Sequence, residues 1–443
     1  MESSRYNIVS RIKDSDEYFI INPLYGNADI IDQKTYHLLV EEKRLDQEFI
    51  EKNYIVDRQF ENDYFRNAYL KFLDQRDAEE IQLFFVPWYS CNFDCSYCYQ
   101  DGYKRAGFSV TTEVTDAFYR YIDTYFAGRS KYITLFGGEP FLSGEKQRCH
   151  TGIFFDRASE RKIDVSVVTN GYHVTDYLEM IKKARIREIQ VTLDGTREVH
   201  DRRRKLKKGT GTFDRIVEGI DLLLNNGINV NLRVVIDREN IDNLPGLAEF
   251  AINRGWTSSP FFSTQLGRNY ELHHGQEKPE SLYSRIELYA ALYRIIERHS
   301  WFLDFHTPSF SVAGNLFRNG ELPDPLFDAC PGTKTEWAFD FTGKIYACTA
   351  TVGKKGEELG TFFPEWFLDD NKVDLWNGRD VLSMDRCRQC NLSLICGGGC
   401  AAVAKNQNGC INSPDCRPVT ELLEYGISAY FNEGKRVPGV RFK

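Results

Sequence analysis

Twelve cysteines in 443 residues, eight of them between Cys330 and Cys416, constrain this chain more than any other feature. They fall into tight groups. Cys91, Cys95 and Cys98 make Cys-x3-Cys-x2-Cys, and Cys387, Cys390, Cys396 and Cys400 make Cys-x2-Cys-x5-Cys-x3-Cys. Cysteines this close in sequence are poorly placed to pair with one another, whereas their thiolates can converge on one ion or cluster. Disulfides also need an oxidising compartment, and the start MESSRYNIVS is not the basic start and apolar run of a secretory signal. Zinc is the next alternative, since a four-cysteine site would suit the C-terminal group. The first trio has no nearby fourth ligand, however, and so leaves a coordination position open for a substrate or cofactor. Cys149 stands alone in the charged stretch Gly144–His150 and reads as a bystander. With it and the trio set aside, eight cysteines remain, enough for two four-cysteine clusters.

The rest of the composition narrows the field without choosing within it. At about 100–200 residues per domain, the length suggests two or three domains. Apolar residues at 42% and charged residues at 27% are those of a folded globular chain. The longest apolar stretches, Leu83–Trp88 among them, fall short of a membrane-spanning helix. A formal net charge of −8 gives no support to non-specific nucleic-acid binding. Neither a membrane nor a nucleic acid is expected as a partner.

Three regions are expected along the chain. In residues 1–80, Tyr18–Ile21 and Ala28–Asp32 alternate around the turn-rich Asn22–Asn27, a β-hairpin pattern. Helical stretches follow at Gln33–Glu42, Gln47–Lys52 and Asp63–Leu73, which suits a winged-helix-like module, and the acidic Asp74–Glu80 reads as a linker. Residues 81–300 carry apolar strands at Ile81–Pro87, Lys131–Phe136, Asp164–Thr169, Glu188–Leu193, Asn229–Ile236 and Ser259–Phe262. Amphipathic helices lie between and after them at Thr112–Phe126, Thr175–Lys183, Phe213–Asn225, Leu244–Asn253 and Ser281–His299. Successive β/α units predict an α/β fold with a parallel sheet and helical crossovers. Active sites of such sheets gather at the C-terminal ends of the strands. The notable residues fall there: Cys91–Cys98, Gly137–Pro140, Thr169–Gly171 and Asp194–Gly195 follow the first four strands in turn. In residues 301–443 the periodicity fades, and Asp324–Arg417, rich in Cys, Gly and Pro, is expected to owe its order to metal ligation as much as to a core.

The loop CNFDCSYCYQ (Cys91–Gln100) resembles the signature of the radical S-adenosylmethionine (radical SAM) superfamily. That resemblance implies a partial (β/α)6 TIM-like barrel. It also implies a 4Fe–4S cluster held by Cys91, Cys95 and Cys98, with S-adenosylmethionine chelated to the fourth iron. One-electron cleavage of the sulfonium then releases a 5′-deoxyadenosyl radical that abstracts a substrate hydrogen. The hard chemistry belongs to the cofactors, while the protein binds, orients and excludes solvent. Tyr97 matches the family's aromatic position beside the adenine, although ordinary packing also closes a loop aromatic over a sheet. GGEP (Gly137, Gly138, Glu139, Pro140) matches the segment that meets the cofactor's amino group, yet taken alone it is a turn. Thr169 and Asn170 in TNG, and Thr192 in VTLDG, resemble segments that reach the ribose or carboxylate, with strand termination as the plainer reading. In EVHDRRRK (Glu198–Lys205), Arg204 matches an Arg near the cofactor, while Arg202 and Arg203 read as a solvated basic run.

The C-terminal cysteines resemble the SPASM extension of this superfamily, which adds two auxiliary 4Fe–4S clusters and makes three clusters in all. By that resemblance Cys387, Cys390, Cys396 and Cys416 hold an outer cluster, and Cys330, Cys348 and Cys400 hold one nearer the barrel. Some members carry a further cysteine six residues before the first of these, a position that is Asp324 here. The surplus Cys410 either supplies the eighth ligand or replaces Cys416; otherwise the inner cluster keeps an open or non-cysteine ligand. In anaerobic sulfatase maturases the residue after the second SPASM cysteine is an Asp that serves as base. Thr349 stands there in this chain, which weakens that assignment and leaves the general base unassigned.

Residues 1–80 resemble, in pattern, the winged-helix peptide-recognition domains of peptide-modifying radical SAM enzymes. Those capture the leader of a ribosomally made precursor as an added strand at a sheet edge. A small domain that only covers the barrel's open side is the plainer alternative. The resulting expectation is a cytoplasmic maturase that cross-links side chains of a precursor peptide through a thioether or carbon–carbon bond. It would be served by an electron donor such as flavodoxin or ferredoxin. An enzyme acting on a folded or folding protein, as sulfatase maturases do, and a dehydrogenase of a small alcohol or sugar are the alternatives. A cluster-carrier protein would leave GGEP and the barrel without a purpose.

Overall fold

Period-two apolar patterning in the middle of the chain builds the sheet that organises everything else. The computed structural model describes residues 1–42, 46–100, 103, 110–269 and 279–436. Its strands are β1 (Glu2–Ser3), β2 (Ile8–Arg11), β3 (Tyr18–Asn22), β4 (Asn27–Ile31), β5 (Ile55–Val56), β6 (Ile81–Val86), β7 (Phe93–Cys95), β8 (Lys131–Leu135) and β9 (Val165–Thr169). They continue with β10 (Ile186–Thr192), β11 (Arg204–Leu206), β12 (Val230–Ile236), β13 (Phe262–Arg268), β14 (Glu336–Asp340), β15 (Lys344–Tyr346), β16 (Gly360–Thr361) and β17 (Phe367–Leu368). Ten of them form one sheet in the order β13-β12-β10-β9-β8-β6-β14-β15-β16-β17. From β13 to β14 every pairing is parallel, and β14 to β17 pair antiparallel. This is the α/β fold of a partial barrel.

The two faces of the sheet differ. Along β12, Val230, Leu232, Val234 and Ile236 are buried, while Asn231, Arg233 and Val235 are only half-buried. The buried set packs under the crossover helices. Phe85 of β6, for example, stacks on Phe118 and Phe154 of the helices Thr112–Tyr125 and Glu145–Glu160. Each such side chain withdrawn from water contributes roughly 1.5–3 kcal/mol. The opposite face is the barrel's inner wall.

Several boundaries differ from the sequence expectation for physical reasons. The sixth of the expected strands is Phe262–Arg268 and not Ser259–Phe262, because Ser259 and Pro260 make a turn and the strand that follows is too polar to stand out. The helix Glu145–Glu160 was hidden by its charges, although Thr151, Phe154, Phe155 and Ala158 give it a buried face; Cys149 lies exposed on it. The stretch expected as a linker is mostly helix: Arg58–Ala78 is continuous, capped by the Asp57 carboxylate, which accepts from the amides of Gln59 and Phe60. No Gly or Pro interrupts Asp74–Ala78, and the helix is held by Phe65, Tyr69 and Phe72, whose rings lie 5.2, 5.2 and 5.5 Å from that of Phe327. The C-terminal region is also more regular than expected, since β14 joins the parallel sheet beside β6.

The N-terminal hairpin forms as expected, with Tyr18 opposite Ile31 and Asn22 opposite Asn27. It belongs to a three-stranded sheet of order β2-β3-β4. This part packs on the C-terminal region: Ser10 donates to Glu424, and Ser428 Oγ accepts from the amide of Lys13 at 2.9 Å. Among the described residues no helix is long and apolar enough to cross a membrane.

Candidate active site

The cysteine loop that leaves β6 is strapped down by a distant segment. Within it, β7 pairs antiparallel with β11, placing Arg204 opposite Cys95 and Leu206 opposite Phe93. Two further backbone bonds extend the strap, Ser96 N–H to Arg203 O at 3.2 Å and Lys207 N–H to Asn92 O at 3.1 Å. Burial pushes the Cys91 thiol up to about 11, helped by Glu139 and Cys98. Burial also pushes Cys95 up to about 12; Arg204 opposes the rise, while Cys91 and Cys98 add to it. The thiols of the trio thus sit near enough to influence one another's ionisation, although among the described residues no three His, Cys, Asp or Glu side chains are gathered tightly enough to hold a single metal ion. The preference of Cys91 and Cys95 for the protonated form is one that a cationic metal centre would reverse.

GGEP lies beside them as expected, after β8. Gly138 has φ +48°, and a Cβ there would come within 2.3 Å of the Ser90 carbonyl oxygen, so the position requires glycine. Its amide donates to Gln100 Oε1 at 2.9 Å. Glu139 is buried, and its carboxylate joins the ends of two strands. Oε1 accepts from Thr169 Oγ1 at 2.6 Å and Phe141 N at 2.8 Å, and Oε2 accepts from Asn170 N at 2.6 Å. Burial raises its pKa and these donors oppose the rise. Thr169 thus turns its hydroxyl to Glu139, while the Asn170 side chain donates to Asn92 Oδ1 at 2.8 Å. Thr192 is buried at the end of β10.

Tyr97 and Arg204 meet. Arg204 Nη1 donates to the Tyr97 hydroxyl at 2.6 Å, and that hydroxyl donates to Asp194. Arg203 overturns the expectation of a solvated side chain. It is 1% exposed, lies over the Tyr97 ring at 4.9 Å and makes a fork to Asp237 at 2.7 and 2.9 Å. Arg202, its neighbour, is exposed as expected. His200 is fully buried: Nδ1 accepts from Asp194 N at 3.1 Å, and Nε2 lies 3.0 Å from Thr212 Oγ1. The Thr212 hydroxyl donates to Arg204 O at 2.6 Å, so the ring holds its proton on Nε2. Burial, with Arg204 and Arg203 nearby, keeps it neutral well below the usual histidine range. Asp194, Asp237 and His200 were not singled out as site residues from the sequence; only the position of Asp194 at a strand end hinted at one of them.

The C-terminal cysteines separate into two sets. The buried Cys348 thiol is raised well above the ordinary range by burial, then by Glu336, Cys330 and Cys400. Cys387 is pushed up to about 11 by burial, then by Cys396, Cys416 and Cys390. The fully buried Arg379 ties the loops around both sets, donating to the carbonyls of Ile411, Gly399, Gly398 and Ser413 at 2.7–3.1 Å. Cys410 and Cys416 are both exposed. The Asp324 carboxylate pairs with Lys71 at 3.0 Å on the N-terminal helix.

These residues fit the cofactors that the sequence implies. Beside the trio, Asn92 Nδ2 and Gln100 Nε2 are buried donors without a partner. The Gly137–Gly138 turn offers a close backbone approach, and Arg204 supplies positive charge next to Cys95.

Residues 85–251 match the family model of the Radical SAM superfamily. Over 326 residues the chain is 26% identical to mycofactocin maturase MftC of Mycolicibacterium smegmatis, covering 71% of this chain and 76% of that protein. The fold is also that of anSMEcpe, solved with bound AdoMet and Cp18Cys peptide, at a TM-score of 0.61 and 15% identity over 81% of this chain and 100% of the other. Streptococcus suis SuiB, solved with precursor peptide SuiA, aligns at a TM-score of 0.57 and 15% identity over 95% and 99% of the two chains. The strapped cysteine trio at the end of the first barrel strand and the match across the barrel agree: residues 85–251 are a radical SAM domain.

Proposed function

We propose that the protein is a maturase that modifies side chains of a ribosomally made precursor peptide, forming a thioether or carbon–carbon cross-link. The observation that carries this reading is the strapping of the cysteine loop by β11 beside the buried Glu139, with two further sets of mutually influencing thiols in the C-terminal region. Three 4Fe–4S clusters would be held: one by Cys91, Cys95 and Cys98, an inner one by Cys330, Cys348 and Cys400, and an outer one by Cys387, Cys390, Cys396 and Cys416. When bound, the first cluster and S-adenosylmethionine supply a 5′-deoxyadenosyl radical that takes a substrate hydrogen. The chain's own residues bind and orient. Gly137, Gly138 and Glu139 would receive the cofactor's amino group, Tyr97 would stand beside the adenine, and Thr192 would close the floor. The Arg203–Asp194–Asp237 network seals the site against water. An electron donor such as flavodoxin or ferredoxin would serve it in the cytoplasm, where thiols stay reduced.

Support for a peptide substrate comes from the similarity to MftC, a protein named as a maturase. Residues 1–80 add to it, because the order β2-β3-β4 leaves β4 as a sheet edge that an extended leader would lengthen. Reconstituted protein with dithionite and S-adenosylmethionine is expected to release 5′-deoxyadenosine far above a Cys95→Ala control; no excess over that control would end the reading. A short Cys- or aromatic-bearing peptide encoded beside this chain is expected to slow hydrogen exchange in Asn27–Ile31. Binding without such protection would remove the leader-strand role.

A sulfatase-maturase-like activity has one observation in its favour. Glu336 Oε1 accepts the amide of Thr349 at 2.9 Å, so a carboxylate stands beside the position where those enzymes carry their Asp. Turnover of a Cys-containing sulfatase peptide, lost in Glu336→Gln, would favour it over cross-linking.

A further inference from the structure

We propose that Arg233 is the centre of a carboxylate-binding subsite on the inner face of the sheet, and that the substrate presents a carboxylate there, either an acidic side chain or its C-terminus. The proposal rests on the radical-enzyme reading only for taking this face as the substrate side. Arg233 lies in register between Thr192 of β10 and Gln265 of β13. Its neighbours Leu232 and Val234 are buried toward the helices, so its own side chain belongs to the inner wall. Thr192 ends its strand two residues before Asp194, the acceptor of the Tyr97 hydroxyl, which puts this row directly under the cofactor site.

What distinguishes Arg233 is its missing counter-charge. Arg203, on the same end of the barrel, is neutralised by Asp237 and Glu239 at 2.7 and 3.3 Å and by Asp194 at 3.5 Å. Among the described residues no carboxylate reaches Arg233. Its Nη1 donates to Gln265 Oε1 at 3.3 Å, an oxygen that also accepts from Gln190 Nε2 at 2.7 Å. That bond leaves the Nε and Nη2 edge, the fork that matches a carboxylate. The fork lies over Gly267, where a Cβ would come 3.2 Å from Nη2 and 3.7 Å from Nε. Gly267 has an ordinary backbone conformation, so here glycine provides space and not a turn. In the row below, Asn231 Oδ1 is buried without a partner and could accept a ligand N–H. A half-buried cation held by one neutral amide, with its fork left clear, is a site preset for an anion.

The test uses the reconstituted holoenzyme and two pairs of peptides, read by isothermal titration under anaerobic conditions. N-acetyl-Gly-Glu-amide against N-acetyl-Gly-Gln-amide probes an acidic side chain. N-acetyl-Gly-Tyr as the free acid against its amide probes a chain terminus. In at least one pair the acid is expected to bind about 10-fold more tightly than the amide, as a charge-assisted fork provides. Arg233→Gln should reduce that ratio to below about twofold, Arg233→Lys should restore part of it, and Gly267→Ala should lower it with the charge intact. Equal binding or no binding of acid and amide in both pairs, or discrimination that survives Arg233→Gln in protein of normal iron content, overturns the proposal. Because binding is read without turnover, failure here is distinct from a failure to form 5′-deoxyadenosine.

Discussion

The Tyr97 hydroxyl stands between a buried cation and a buried carboxylate, and much of the site's order depends on that one oxygen. Tyr97→Phe leaves Arg204 and Asp194 each short of a partner. A loss of about 1–3 kcal/mol in stability is expected, with weaker S-adenosylmethionine binding at unchanged iron content, read by thermal unfolding and by titration. Two histidines set an acid limit. Burial, then Arg318, lowers His306 to about 4, and His200 is held well below its usual range. The unfolded chain protonates both below about 6.5, while the fold does not. The contribution of His306 is therefore complete above that pH and lost as pH falls from there toward about 4, and His200 acts in the same direction. Between pH 7.5 and pH 5, His306 alone should cost about 1–2 kcal/mol. His306→Gln is expected to flatten the dependence of the unfolding midpoint on pH. At this scale the sequence was legible where a motif spoke, as for the trio, GGEP, Tyr97 and Arg204. It misled at Arg203, because the acids that bury that side chain come from Asp194, Asp237 and Glu239 on other segments, and no local pattern carries them.

At the level of elements, the β7–β11 strap does what the parallel sheet cannot, fixing a loop that leaves the sheet altogether. Lys207 has an exposed side chain and contributes through its amide bond to Asn92 O. Lys207→Pro is expected to lose about one cluster's share of iron and at least about tenfold in 5′-deoxyadenosine formation, with Lys207→Ala close to wild type. Iron and sulfide analysis checks the first and chromatography the second. Strands β6, β8, β9, β10 and β12 were readable because each carries an apolar face over five to seven residues. The strap was not, since β7 and β11 are three residues each and pair across more than 100 positions of sequence. Likewise β14 reads locally as a short apolar run, and its place beside β6 is a property of the assembled sheet.

Across the whole molecule, the N-terminal helix and the cysteine-rich region share a core at Phe327, which is fully buried among Phe65, Tyr69 and Phe72. Phe327→Ala should cost about 3–5 kcal/mol, and thermal unfolding of the full chain would show it as one lowered transition. Removing residues 1–73 would uncover the same ring, so leader binding is better tested by point changes in β4 than by truncation. The domain division expected from composition therefore understates how far the regions lean on one another. The sheet carries a further consequence. Strand β6, which delivers the Cys91–Cys98 loop, is hydrogen-bonded along its length to β14, which lies between Cys330 and Cys348. The backbone lattice thus acts as a ruler between the first thiol set and the inner one. Replacing the cysteine-rich region as a cassette would therefore cut through a continuous sheet at the β6–β14 seam.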